Sequence, residues 1–232
     1  MDNNFLSNIE LYYSSPENFA GKSVILRGDD FHHITRVMRH TEGDEIYVTN
    51  GLGVIYRGKL TTIAKTEAIS SIESEYKYEN KFANITFCLP KLKSSDRFEF
   101  ALEKAIELGV VNFMVFSSAR TVTRGTKLER WNKIAIAAMK QSLRSYLPVL
   151  TEIKSIAQLP GKDCEIIVFE QNSNQKLDQL KIDGTKNYYF VFGPEGGLSE
   201  DELKLFPGKQ IYNLAENRLR SETAIVKCAS LL

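Results

Sequence analysis

The chain has 232 residues, of which 43% are hydrophobic and 25% are charged, as is usual for globular proteins. No apolar run approaches the roughly 20 residues that a membrane-spanning helix requires, and residues 1–10 carry acids where a signal peptide would carry lysine or arginine. The cysteines at 88, 164 and 228 lack CxxC spacing and lie far from the histidines. We therefore expect one large or two small domains, a cytoplasmic location, no membrane contact and no metal.

The net charge of +1 conceals an uneven distribution along the chain. Counting Lys and Arg against Asp and Glu, it is −3 over residues 1–90, +6 over residues 91–150 and −2 over residues 151–232. A basic central segment is consistent with a partner that bears phosphates. A solvated helix face explains the same charges, and charge alone favours that simpler explanation.

The N-terminal third is rich in short β-strand signals with β-branched and aromatic residues between Gly and Asn. These runs occupy residues 22–28, 44–51, 54–63 and 67–76. One helical segment, residues 29–40, interrupts them, with Phe31, Ile34, Val37 and Met38 predicted on one side and Asp29 or Asp30 as its cap. Several short strands with one helix predict a small, mostly antiparallel barrel over residues 1–75.

The remainder of the chain, after a polar link at residues 76–82, alternates strands with helices. Strands are predicted at residues 83–90, 111–118, 165–170, 187–193 and 210–214. Helices are predicted at residues 94–109, at residues 127–145 with a capping box of Thr126 and Glu129, and at residues 221–232. This alternation predicts an α/β domain with a mostly parallel sheet over residues 76–232.

The segment "FGPEGGLSEDE" follows the fourth of these strands. Its glycines permit positive φ and close approach of a ligand to the backbone, while Ser199 and Glu202 have the spacing of a capping box. Strand, tight loop and helix in this order occur where ligands bind to open α/β sheets. A tight turn without a ligand is the alternative.

The segment "NLAENRLRSETA" follows the fifth strand and places Arg220 at a neighbouring strand end. Arg220 suits an anionic group, whereas Ser221 as a helix cap and Glu222 in the first helical turn have structural explanations. Neither loop matches a P-loop or GxGxxG motif, and no G-x-S-x-G elbow occurs. No histidine lies in the second domain, which disfavours triad hydrolysis.

Together these two segments resemble the RsmE family of 16S ribosomal RNA methyltransferases, within the SPOUT superfamily. The resemblance covers nearly the whole chain in the right order. It continues through "HHITRVMRHTEGDEIYVTNGLG", "LPKLKSSDRFEFALEKAIELGV", "SARTVTR" and "ERWNKIAIAAMKQSLRSYLPVL". Two departures are Ala215 and Leu143, each of which stands where many members of the family have glycine.

The resemblance implies an N-terminal PUA-like β-barrel that binds RNA and a C-terminal SPOUT-type parallel sheet with a trefoil knot. It implies S-adenosylmethionine as the cofactor and N3 of a uridine in 16S ribosomal RNA as the methyl acceptor. The implied partners are 16S rRNA or the small ribosomal subunit and a second copy of the chain in a homodimer.

Site residues follow from the same resemblance. Arg220 is the candidate to stabilise negative charge on the uracil ring, and Glu222 is a possible base, although Arg220 nearby favours its ionised form and weakens it in that role. The predicted cofactor-binding residues are Phe192, Gly193, Pro194, Glu195, Gly196, Gly197, Leu214, Asn217, Leu219 and Thr223. The predicted RNA-binding residues are Arg36, Arg39, Lys91, Lys93, Arg97, Arg120, Arg124 and Arg144.

Two other functions remain open at this stage. One is a catalytically silent RNA-binding or ribosome-assembly protein, which tight S-adenosylmethionine binding would argue against. The other is a SPOUT methyltransferase of a different RNA, which the barrel-like N-terminus makes less favoured.

Overall fold

A computed structural model describes residues 9–121, 125, 127–160 and 163–232. Within these residues the chain divides into two compact units. The first contains the chain up to Asn80 together with Ile136–Leu147, and the second contains Lys81–Ala135 and Pro148–Leu232. The sequence pattern did not indicate that residues 136–147 pack with the first unit. The domain division at residues 75 and 76 stays a prediction.

The described residues of the first unit form a six-stranded sheet with the order β1-β4-β5-β6-β3-β2. Its strands are β1 (Leu11–Tyr13), β2 (Phe19–Ala20), β3 (Ser23–Arg27), β4 (Glu45–Thr49), β5 (Val54–Ile63) and β6 (Glu67–Lys77). β1 pairs with β4 in parallel, and the other neighbouring strands are antiparallel. The four strands predicted from the sequence are present. β1 and β2 were missed because they are too short for a periodic pattern.

The helix of the first unit differs from its prediction in one respect. It begins as α1 (Gly28–His32) and continues as a π-helical turn, His33–Val37. Phe31 and Ile34 are buried, but Val37 and Met38 are 66% and 44% exposed, so the predicted apolar face is wrong for its second half. The wider π turn shifts the side chains around the helix axis relative to the expected period.

The predicted cap of that helix is also wrong. Arg27 occupies the capping position, where its side chain makes no capping hydrogen bond, whereas Asp30 lies inside the first turn. The buried Asp30 carboxylate instead accepts a hydrogen bond of 2.8 Å from Lys140 Nζ. Asp30 therefore joins two segments of the first unit that are distant in sequence.

The second unit is built on a sheet whose neighbouring strands are all parallel. In the described residues this sheet has six strands in the order β12-β10-β11-β7-β8-β9. They are β7 (Ile85–Pro90), β8 (Asn112–Phe116), β9 (Val149–Ile153), β10 (Cys164–Phe169), β11 (Asn187–Val191) and β12 (Gln210–Tyr212). The five predicted strands are confirmed. The edge strand β9 was missed.

Four helices in the described part of this fold follow strands or loops of the second sheet. They are α2 (Ser95–Glu107), α3 (Leu128–Gln141), which runs on into the first unit, α4 (Glu200–Lys204) and α5 (Ser221–Leu231). The predicted apolar face of α2 is buried, and Gly109 follows its end with a φ of 106°. Ser199 and Glu202 form the predicted capping box of α4.

The starts of α5 and α3 concern two caps that were predicted from the sequence. Arg220 is the residue before α5 and Ser221 its first residue, so the prediction of Ser221 as cap is wrong. The predicted capping box of α3 includes Thr126, which lies outside the described residues. None of the described helices is both long and apolar enough to cross a bilayer.

Candidate ligand-binding site at the strand ends

Three adjacent parallel strands, β10, β11 and β12, end at the same edge of the sheet. The segments that follow them, at residues 169–171, 192–197 and 213–221, surround a cavity of about 650 Å³. Carboxyl ends of parallel strands share one edge, which is where α/β proteins bind ligands. The volume lies within the range of about 300–1,000 Å³ typical of small-molecule sites.

The glycine loop after β11, defined as residues 193–197, is compact. Gly197 N donates a 2.9 Å hydrogen bond to Pro194 O, and Gly197 has a φ of 70°. A Cβ added to Gly193 would lie 3.2 Å from Gly197 Cα. Gly193 and Gly196 do not adopt positive φ, so Gly197 is the one glycine of this loop whose left-handed backbone conformation favours glycine. The tight turn itself requires Gly193.

Glu202 fastens the helix that follows this loop. Its carboxylate accepts hydrogen bonds from Ser199 N at 2.8 Å, Ala119 N at 2.9 Å and Ser118 Oγ at 3.1 Å. Burial alone raises the pKa of Glu202, but these hydrogen bonds outweigh it and lower the pKa below its ordinary value. Arg120, in the same segment as Ala119, donates from its guanidinium to Gly196 O. The segment after β8 thus holds both the glycine loop and α4.

Most of the predicted cofactor-binding residues line the cavity. The ones that do so are Phe192, Gly193, Pro194, Glu195, Gly196, Gly197, Leu214 and Leu219. Asn217 is exposed and does not line it, while Thr223 lines a separate cleft described below. Binding of the cofactor by these residues stays a prediction.

Three residues that were not predicted from the sequence line the cavity at the end of β10: Phe169, Glu170 and Gln171. Burial raises the pKa of Glu170, and the positive charge of Arg120 partly opposes that shift. The sequence did contain a signal for these residues. Glu170 and Gln171 are polar and lie at the end of a predicted strand of the parallel sheet, as the other two loops do. Glu170 and Gln171 add an acceptor and an amide to the polar groups that line the cavity beside its apolar side chains.

The start of α5 meets the glycine loop. Ser221 Oγ donates a 2.7 Å hydrogen bond to Gly193 O, which replaces the capping role predicted for it. Glu222 is buried, and its Oε1 lies 3.5 Å from Arg97 Nε. Among the described residues, Glu222 Oε2 is buried with no hydrogen-bond partner.

A second, more open cleft adjoins the cavity and includes both predicted catalytic residues, Arg220 and Glu222. Its lining residues are Asp96, Arg97, Phe100, Arg218, Leu219, Arg220, Glu222 and Thr223. Arg97, Arg218, Leu219 and Arg220 line the cavity as well. The two spaces therefore share a wall that carries three guanidinium groups.

The predicted RNA-binding residues of the second unit differ in position. Lys93 is exposed, and its backbone N–H donates to Glu195 of the glycine loop. Arg97 lines both spaces, and Arg120 contacts the glycine loop. Lys91 is buried, and its ammonium bonds to Glu152 Oε1 at 2.5 Å and to Gly125 O at 2.8 Å. The structure therefore does not offer Lys91 to a phosphate. Its charge is already paired inside the protein.

The other predicted RNA contacts belong to the first unit or fall outside the described residues. Arg36 and Arg39 are exposed at the end of the first unit's helix, where Arg39 has a φ of 55°. Arg144 is exposed after α3. Arg124 is not among the described residues.

A parallel sheet with a nucleoside-sized cavity at the ends of three neighbouring strands defines the class of an α/β protein that binds its ligand at the strand ends. Where the structure describes the chain, no group of three or more His, Cys, Asp or Glu side chains is arranged to hold a metal ion.

Comparisons with known proteins identify the family. Residues 79–232 match the RNA methyltransferase domain family, and residues 26–73 match the RNA methyltransferase PUA domain family. Ribosomal RNA small subunit methyltransferase E of Bacillus subtilis is 30% identical over 86% of this chain and 85% of its own. The protein of the same name from Aquifex aeolicus is 30% identical over 97% of this chain and 99% of its own.

A solved structure supports the same assignment. The crystal structure of a ribosomal RNA small subunit methyltransferase E from Neisseria gonorrhoeae, bound to S-adenosyl methionine, superposes with a TM-score of 0.84. It is 30% identical in sequence, and the match covers 96% of this chain and 95% of that chain. The chain therefore belongs to the ribosomal RNA small subunit methyltransferase E family, as the sequence motifs indicated.

Proposed function

We propose that this protein transfers a methyl group from S-adenosylmethionine to N3 of a uridine in 16S ribosomal RNA. The observation that carries the proposal is the cavity formed by the ends of β10, β11 and β12. It lies in a chain of this family, and the similar protein from Neisseria gonorrhoeae is described as bound to S-adenosyl methionine.

The residues around the cavity fit that cofactor. Phe169, Phe192, Leu214 and Leu219 provide apolar surface for a nucleoside. The three glycines of the glycine loop carry no side chain that would keep a ligand from the backbone, and a Cβ at Gly196 would lie 3.3 Å from Arg120 Cδ. A side chain at that position would therefore crowd the loop that borders the cavity. Glu170 supplies an acidic group suited to a ligand that carries positive charge.

When bound, S-adenosylmethionine supplies a methyl group that its sulfonium charge has already activated. The protein has mainly to align donor and acceptor, which can provide much of the rate acceleration. Uridine N3 must lose its proton to become a good nucleophile, and this places negative charge on the uracil ring. Arg220 lies on the wall that the cavity shares with the second cleft and is placed to stabilise that charge.

Glu222 is the candidate that could accept the N3 proton, and its Oε1 lies 3.5 Å from Arg97 Nε. A side-chain base is unnecessary if Arg220 alone lowers the uridine pKa. Methylation rates measured against pH in Glu222→Gln distinguish these routes, because loss of a required base changes the pH profile as well as the rate.

The finer features of the fold are proposals on the same basis. We infer that the sheet of the first unit closes into a PUA-like barrel that binds RNA, that the second unit contains a trefoil knot, and that two copies form a homodimer. The match of residues 26–73 to a PUA domain supports the first. The membership of residues 79–232 in the RNA methyltransferase domain family supports the second. Arg36, Arg39, Lys93, Arg97, Arg120 and Arg144 are proposed to position the RNA.

Mass spectrometry of ribosomal RNA from cells with and without the gene tests the function. We expect one uridine of the small-subunit RNA to lose its N3-methyl group when the gene is removed and to regain it when the purified protein and S-adenosylmethionine are added. Unchanged 16S RNA with an altered transfer RNA points to a methyltransferase of another RNA. Unchanged RNA throughout points to a protein that binds RNA without modifying it.

A further inference from the structure

The second cleft contains an incompletely bonded carboxylate. Glu222 is the second residue of α5 and is 8% exposed. Its Oε1 has a long contact of 3.5 Å with Arg97 Nε, and its Oε2 has no partner in the described part of the chain. A buried oxygen without a hydrogen bond loses the stabilisation that water would give it, so a ligand donor that reaches it is favoured. The terminal torsion of glutamate is soft, so either oxygen can turn toward a donor that enters the cleft.

The other lining groups favour a flat polar ring as the occupant. Phe100 is 48% exposed and is the aromatic residue that lines the cleft. Arg97 and Arg220 line the same cleft and are donors only. Unpaired RNA bases are recognised by stacking on aromatic side chains and by hydrogen bonds to their Watson–Crick edge. Because the cleft shares a wall with the cavity, a base held there would lie next to the proposed cofactor site.

The order of donors and acceptors selects the base. The Watson–Crick edge of uracil presents an acceptor at O4, a donor at N3–H and an acceptor at O2. The Glu222 carboxylate and the two guanidinium groups that line the same cleft can supply the complementary set of one acceptor and two donors. Cytosine presents a donor at its N4 amino group and an acceptor at N3. In this cleft the N4 donor would meet an arginine donor, and the N3 acceptor would meet the Glu222 acceptor. Such a mismatch leaves buried polar groups unpaired, which is the strongest form of discrimination.

We propose that this cleft is the acceptor-base pocket, in which Glu222 accepts a hydrogen bond from uracil N3–H, Arg97 and Arg220 donate to O4 and O2, and Phe100 stacks on the ring. The proposal rests on the proposed function, because it deepens the account of the same methyl acceptor. It also explains how product leaves. N3-methyluracil has no N3–H, so the Glu222 carboxylate would no longer have a donor.

Binding of short single-stranded RNA tests the pocket without knowledge of the target nucleotide. Fluorescence anisotropy is measured for oligouridylate, oligocytidylate and oligo(N3-methyluridylate), each with S-adenosylhomocysteine present. We expect the wild type to prefer oligouridylate by about 10-fold, the scale of one correctly matched base edge. Glu222→Gln should lose the preference over oligocytidylate, because an amide can present either a donor or an acceptor. Its affinity for S-adenosylmethionine should be unchanged.

Two further variants separate recognition from structure. Asp201 occupies the second position of α4, as Glu222 does in α5, but its side chain is 93% exposed and lines neither space. Asp201→Asn is therefore the matched control and should keep the uridine preference. Phe100→Leu should weaken binding of all three RNAs by a similar factor, on the order of 10-fold for a lost stacking platform, and leave their ratio unchanged.

Three outcomes would overturn the pocket. Equal binding of oligouridylate and oligocytidylate by a wild type that methylates 16S RNA would leave the function standing and remove the proposed recognition. A Glu222→Gln variant that keeps its preference would assign the carboxylate to another role. A Glu222→Gln variant whose mass by light scattering falls while its base preference persists would assign the unpaired oxygen to a contact between subunits. Absence of methyl transfer by the wild type, with uridine preference intact, would instead count against the proposed function alone.

Discussion

Gly193→Ala is the most direct perturbation of the glycine loop. A Cβ at this position would lie 3.2 Å from Gly197 Cα and 3.3 Å from Leu198 N, closer than ordinary van der Waals contact. Both neighbours are backbone atoms of the same turn, so no side-chain rotation can relieve the contact. The Ser221 hydroxyl also bonds to Gly193 O at 2.7 Å and restricts movement on the other side. The loop must therefore open by a few tenths of an ångström.

The expected cost is that of overpacking, about 1–3 kcal/mol. For a chain of this length each kcal/mol lowers Tm by roughly 2–4 °C. If the opened loop also disturbs the cavity, the same energy appears as S-adenosylmethionine affinity that is about 5- to 150-fold weaker. Thermal unfolding and isothermal titration calorimetry measure the two parts separately.

Gly208→Ala is the matched control, because no atom lies within 4 Å of a Cβ there and its φ is not positive. It should leave Tm and affinity unchanged, or raise stability slightly by restricting the unfolded chain. If Gly193→Ala behaves like Gly208→Ala in both assays, the loop has room for a side chain and its close packing does not shape the site.

Other predictions address catalysis, RNA binding, backbone strain, pH and assembly. Arg220→Ala should cut single-turnover methylation at saturating RNA by about 100-fold, a greater loss than the single base contact that it removes from RNA binding. The double variant Arg36→Ala, Arg39→Ala should instead weaken RNA binding and flatten its salt dependence by a slope of roughly 1 per contact; reversal of these two patterns would exchange the assignments. Leu143 has a φ of 55°, a left-handed backbone conformation that strains any residue other than glycine. In thermal unfolding Leu143→Gly should therefore be more stable than Leu143→Ala by about 1 kcal/mol. If Leu143→Ala is the more stable variant, the backbone at this position is not strained. Folding lowers the pKa of Glu202 below its ordinary value of 4.5. The ionised carboxylate therefore stabilises the folded protein fully at pH values above 4.5, and this stabilisation is lost as the pH falls through the lower pKa of the folded state. Denaturation measured from pH 6 to pH 3 should thus show that the difference in free energy of unfolding between the wild type and Glu202→Gln shrinks below about pH 4.5. A difference that stays constant with pH would exclude a role for the charge. Light scattering should find a dimer at assay concentrations, and an active monomer would contradict the proposed assembly.

The sequence alone determined the strands that build the site and the loops between them. β7, β10, β11 and β12 are short runs of β-branched and aromatic residues, and their buried faces follow from composition. The capping box of Ser199 and Glu202 was readable because both partners are local in sequence. The position of "GPEGG" beside the cavity at the strand ends followed from a general property of parallel sheets. The family motifs then indicated the reaction.

Only the tertiary structure decided which charged side chains remain available to a ligand. Lys91 pairs with Glu152, which is 61 residues away, so a residue expected to contact RNA is occupied inside the protein. Arg120 reaches Gly196, and Arg97 meets Glu222, across still longer separations in sequence. No local pattern encodes such partners, because propensity and periodicity act within a few residues whereas these contacts depend on how distant strands and helices pack. The unpaired oxygen of Glu222 is of the same kind: its residue type and helix position were legible in the sequence, but its lack of a donor is a property of the assembled fold.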